Sequence, residues 1–133
     1  MATGECNCGA VGYEIAEELS DVYVCHCSIC RRSTGSGGIA VVAVNKAQFR
    51  WTKGEDQIQT WHKPGHDWQT RFCKTCGSTL PGDNDDERMY VPVGTLIEGA
   101  DNLKVAHHIW VDSKADWEEI GDDGKQHPKA FGA

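Results

Sequence analysis

Apolar residues in this chain come in short runs that often alternate with polar ones, the pattern of strands buried on one face. Val11, Tyr13 and Ile15 alternate, and "DVYVC" follows an acidic turn. "GIAVVAV" (38–44) reads as a buried strand and "QFRW" as a short one. "DQIQTW" and "WQTRF" bracket "HKPGHD", where Pro64-Gly65 signals the turn of a hairpin. In "RMYVPVGTL", Pro92 cannot donate to a ladder, so an edge or irregular strand is expected. "LKVAHHIWV" reads as the last strand. Helical periodicity is weak: "SICRRSTGS" reads as a short helix and "SKADWEEI" as a single turn. The pattern predicts a mainly β fold in one domain over residues 1–133, with a loose polar tail from about residue 121.

A chain of 133 residues can bury one modest core. Its formal net charge of -7 and pI near 5.2 argue against nucleic acid or an anionic membrane as partner. No apolar stretch approaches the roughly 20 residues that span a bilayer. "MATGECNCGA" lacks a basic region followed by an apolar one, so a cytoplasmic, reducing location is expected. The acidic "GDNDDERM" (82–89) lacks the carboxylate spacing of an EF-hand and reads as a solvated loop.

The cysteines change the picture most. Seven is an odd number, which fits a disulfide framework poorly and a metal well. They fall into three groups: Cys6-x-Cys8, Cys25-x-Cys27-x-x-Cys30 and Cys73-x-x-Cys76. A structural zinc is held tetrahedrally by four protein ligands, so the two pairs read as half-sites that close one site together. "CKTCGS" resembles a zinc knuckle, with Gly77 permitting a tight turn after Cys76. Cys25, Cys27 and Cys30 then form a three-thiolate group. Three protein ligands and one open position is how a catalytic zinc is built. A distant fourth protein ligand, metal-free reduced thiols and a redox C-x-x-C are the competing readings. Alternation in an extended segment points His26 away from its cysteine neighbours.

The segments "GECNCGAVGYEI", "CHCSICRRSTGS", "RFCKTCGSTL", "VGTL" and "HHIWVDSKADW" resemble, in order, the glutathione-dependent formaldehyde-activating enzyme family, which includes centromere protein V-like members. The likeness runs from about residue 4 to 120. It implies small stacked antiparallel sheets of the Mss4-like zinc-binding type and two zinc ions per chain. It assigns structural zinc to Cys6, Cys8, Cys73 and Cys76, and catalytic zinc to Cys25, Cys27 and Cys30. It further implies carbon–sulfur lyase-type chemistry, S-(hydroxymethyl)glutathione synthase-like, on glutathione or another small thiol and formaldehyde or a related aldehyde. Ile97 and Asp116 depart from the family pattern where an acidic residue and a proline are usual, in segments that could shape substrate access.

Three thiolates around one Zn²⁺ leave a net charge of about -1 and reduced Lewis acidity, which favours capture of the substrate thiol over polarisation of the aldehyde. Glutathione carries two carboxylates, and Arg31 and Arg32, directly after the last thiol of the group, are the candidate contacts. His62, His66, His107 and His108 are candidates for proton transfer; His107 and His108, adjacent on a strand, should face opposite sides. The tryptophans, Trp51, Trp61, Trp68, Trp110 and Trp117, read mainly as core. The alternative function is a non-catalytic zinc-binding module that recognises a protein or a thiol ligand.

Overall fold

The computed structural model describes residues 1–132. The strands, in chain order, are β1 (Ala2–Glu5), β2 (Gly12–Ile15), β3 (Val22–Cys25), β4 (Ile39–Asn45), β5 (Phe49–Lys53), β6 (Ile58–His62), β7 (Gln69–Cys73), β8 (Thr79–Leu80), β9 (Gly82–Asp83), β10 (Arg88–Pro92), β11 (Leu96–Glu98), β12 (Val105–Ile109) and β13 (Lys125–Gln126). One α-helix, α1 (Ser28–Thr34), follows β3. The mainly β expectation therefore holds. The chain divides into two compact units, one of residues 1–20 and 42–102, the other of residues 21–41 and from 103 onward.

In the first unit, β1 and β2 pair antiparallel, β11 joins β1 and β5 joins β2. β1 has no apolar signal of its own. Its Gly4 is buried because the Tyr13 ring lies against it, so no side chain fits there. The Tyr13 hydroxyl reaches Thr95 Oγ1 at 2.6 Å, and Thr95 donates in turn to the Pro92 carbonyl at 2.7 Å, so Tyr13 is the donor. Burial pushes the Tyr13 phenol up to about 12. The hairpin around Pro64-Gly65 forms as expected, with β6 against β7 from Ile58↔Cys73 to His62↔Gln69, and β8 adds to β7. Cys6, Val11, Cys73 and Leu80 form a buried cluster with Trp51 and Ile58 packed against it. Two of this unit's four thiols, Cys6 and Cys73, thus belong to its apolar core, while Cys8 and Cys76 are exposed.

In the second unit, β3 pairs antiparallel with β4 and parallel with β12. Residues 121–132 are tied to the rest of this unit. β13 pairs parallel with β12, His127 is 5% exposed, and the backbone N–H groups of Trp110, Val111 and Asp112 donate to the carbonyls of Lys129, His127 and Pro128. Polar side chains hid this segment in the sequence because its anchoring is done by the backbone. Trp110, at φ 57, is left-handed, a conformation a bulky residue adopts only when its surroundings impose it.

Candidate metal centres

In the first unit, the turn after β1 presents Cys6 and Cys8, and the turn between β7 and β8 presents Cys73 and Cys76. Gly77, at φ 77, makes the second turn, and its N–H donates to the Cys73 carbonyl at 2.8 Å. The four sulfur atoms lie within 4.8 Å of one another. Cys6 and Cys8 are 3.6 Å apart at sulfur and Cys8 and Cys73 are 3.8 Å apart. These are no disulfides, whose sulfurs sit about 2 Å apart. They match the edge of a sulfur tetrahedron around zinc, about 3.8 Å for Zn–S bonds of about 2.3 Å. The Val11 N–H donates to Cys6 Sγ at 3.3 Å, and the Ser78 hydroxyl and N–H hold Cys76 down at about 5. Donor type, number and spacing all fit a zinc ion.

In the second unit, Cys25 ends β3, Cys27 caps α1 and Cys30 lies in the first turn of the helix. The Cys27 sulfur accepts from the Cys30 N–H at 3.4 Å. The helix ends at Gly35, at φ 67, whose N–H returns to the Arg31 carbonyl at 2.8 Å. Gly38 passes so close to the Cys25 carbonyl that a side chain there would collide with it. The sulfurs of Cys25, Cys27 and Cys30 lie within 4.8 Å of one another, and no histidine or carboxylate of the described residues completes the group to four. Hydrogen bonds from the Cys25 and Cys30 thiols hold Cys27 far below the ordinary thiol range. The same contacts push Cys25 up to about 11, chiefly through Cys27, and Cys30 higher still, chiefly through Cys25. The group carries one negative charge readily and resists a second and a third unless a cation shares the space. A dication fits such a donor set.

His26, between two of these thiols, points away from them as alternation requires. It is 1% exposed, and its Nε2 meets His108 Nδ1 at 2.8 Å. His108 Nε2 in turn meets Asp122 Oδ1 at 2.8 Å, and Glu118 Oε2 stands 3.4 Å from His26 Nδ1. Burial pulls His26 below its ordinary value. This chain was not legible in the sequence, since nothing in the spacing of His26, His108 and Asp122 shows that β3 and β12 are neighbours. His107 faces elsewhere, as expected, and meets His127 Nε2 at 3.0 Å. His62 and His66 line a cavity of about 450 Å³ in the first unit with Asp67, Trp68 and Asp83, whereas the three-thiol group belongs to the second unit.

Arg31 is half-buried and Arg32 exposed, both in the last turn of α1. Ile97 is 59% exposed. The tryptophans are not mainly core: Trp51 packs on Phe49 and Tyr13, and Trp68 stacks on Tyr90, but Trp61 and Trp117 are exposed.

The fold and site together define a mainly β protein with two cysteine groups suited to zinc. The profile of the glutathione-dependent formaldehyde-activating enzyme family matches residues 1–113, and the chain belongs to that family. A Halomonas elongata protein, named provisionally as a glutathione-dependent formaldehyde-activating enzyme, is 27% identical over 141 aligned positions, covering 98% of this chain and 87% of its own. The crystal structure of a Rhodobacter sphaeroides protein has a similar fold, with a TM-score of 0.60 and 25% identity over 77% of this chain and 96% of that one. Among the described residues, no helix is long and apolar enough to cross a membrane.

Proposed function

We propose that this chain is a zinc-dependent carbon–sulfur lyase-type enzyme. It joins a small thiol, glutathione foremost, to formaldehyde or a related small aldehyde, or cleaves the resulting S-hydroxymethyl adduct. The observation that carries the proposal is the division of the seven cysteines into a group of four and a group of three.

Cys6, Cys8, Cys73 and Cys76 would hold a structural zinc that ties the N-terminal strands to the middle of the chain. Cys25, Cys27 and Cys30 would hold a second. When bound there, zinc supplies a cationic centre that favours the thiolate form of a substrate thiol near neutral pH. The substrate sulfur attacks the carbonyl carbon, the C=O π bond opens onto oxygen, and that oxygen takes up a proton equivalent to the one the thiol gave up. The reverse reaction retraces these steps. Free formaldehyde is already electrophilic, so placing the two reactants together is the larger part of the work. The Cys30 N–H supports the Cys27 sulfur, and the buried His26–His108 contact fixes the loop that carries Cys25 and Cys27. Seven free thiols fit a cytoplasmic location.

The test is exchange between glutathione plus formaldehyde and their adduct, followed by NMR with catalytic amounts of zinc-loaded protein. Acceleration over the spontaneous reaction that disappears in Cys27→Ser, with the fold retained, is the expected result. Equal acceleration by Cys27→Ser would remove the three-thiol group from the chemistry. No acceleration with both metals bound would favour the binding-module reading.

A further inference from the structure

Of the five arginines in the sequence, Arg50, Arg71 and Arg88 each have a carboxylate partner, with Glu14, Asp83 and Asp85. Among the described residues, the two on α1 have none. In a chain with 20 acidic and 13 basic residues, an arginine without a carboxylate is out of the ordinary. Arg32 is exposed and solvated, so water satisfies it. Arg31 is half-buried, and its Nε is buried with no hydrogen-bond partner. Position adds direction. Arg31 follows Cys27 by four residues and shares its helix face, and helical side chains lean toward the N-terminus over the residue four before. On that rule its side chain is expected to lean toward the turn that carries Cys27. Arg32 sits about 100° further round.

We infer that Arg31, and not Arg32, is the anion anchor of the three-thiol centre, selecting thiols that carry a carboxylate. This rests on the reading of Cys25, Cys27 and Cys30 as the thiol-binding centre. A guanidinium on a half-buried side chain is held in place by its stem and presents a planar fork that matches a carboxylate. Because no carboxylate of the described residues pairs with it, the substrate's carboxylate is the partner we assign to it.

The test uses zinc-loaded protein titrated with three thiols: glutathione, its diethyl ester and cysteamine, which has no carboxylate. Zinc content is measured alongside. The wild-type chain is expected to prefer glutathione to the diester. Arg31→Ala should weaken glutathione binding about tenfold or more, the loss of a charge-assisted contact, and abolish the preference. Cysteamine binding and zinc content should not change. Arg31→Gln, which keeps the stem's packing, carries the test if the alanine variant loses zinc. A preference that survives in both Arg31 variants, or that is lost in Arg32→Ala instead, overturns the inference while leaving the thiol centre standing. A wild-type protein that binds none of the three thiols overturns the reading of the centre itself.

Discussion

His26 Nε2 and His108 Nδ1 meet at 2.8 Å although 82 residues separate them in the chain. The contact joins the end of β3, where Cys25 and Cys27 flank His26, to β12, and Asp122 continues it toward the surface. Each ring-to-ring bond needs one N–H and one lone pair, so both tautomers are set by their neighbours. His108→Ala would leave His26 Nε2 unpaired in a buried position. The expected cost is about 1–3 kcal/mol of stability. Zinc content should also fall toward that of the four-cysteine group alone. Thermal unfolding and metal analysis check this; a variant unchanged in both would show that the contact does not hold the thiol loop.

The two cysteine groups should respond differently to serine. Cys73 is 0% exposed in the apolar cluster of the first unit, and its sulfur is within 3.8 Å of Cys8. Cys73→Ser should lower the melting temperature strongly and sensitise the protein to chelators, because metal binding and folding are coupled. Cys27→Ser should retain the fold. Melting curves with and without chelator compare them, and equal effects would contradict the division of roles.

Gly38 is required by the close approach of the backbone to the Cys25 carbonyl. Gly38→Ala must push β3 and β4 apart there, with an expected cost of about 1–3 kcal/mol. Because Cys25 moves with its carbonyl, affinity for the second metal should fall while the first is unaffected. Competitive metal titration reads both; unaltered binding at the second site would rule the displacement out.

Acid should release the C-terminal segment. Burial pulls His127 below its ordinary value, helped by Lys125 and His107 nearby. The unfolded segment therefore binds a proton more readily than the folded one, so stability is full above the unfolded value of about 6.5 and falls as pH drops below it. Protection of the Val111 and Asp112 amides, which donate to His127 and Pro128, should fall between pH 7 and 5 once exchange is corrected for its intrinsic dependence on pH. His127→Phe should flatten that dependence, and an unchanged profile in the variant would assign the effect to another group.

Much of the site was legible because thiol chemistry is written in local spacing: C-x-C and C-x-x-C place two sulfurs together whatever the rest of the chain does. The strands with strong alternation, β2 and β4, and the hairpin around Pro64-Gly65 were legible for a similar reason. What stayed hidden depends on non-local pairing. β1 carries "ATGE", which shows no period, and exists because β2 and β11 flank it. β13 is two polar residues held by the backbone of β12. The burial of His26 follows from β12 lying parallel to β3, a pairing no local signal announces.

The division into a four-thiol and a three-thiol centre is tested most directly by ¹¹³Cd NMR of cadmium-substituted protein, with and without glutathione. Two resonances are expected, both in the range of sulfur-rich sites. One should stay fixed, and the other should shift when glutathione is added and be absent from Cys27→Ser. A single resonance, or two that ignore glutathione, would contradict a second centre that takes its fourth ligand from a thiol substrate.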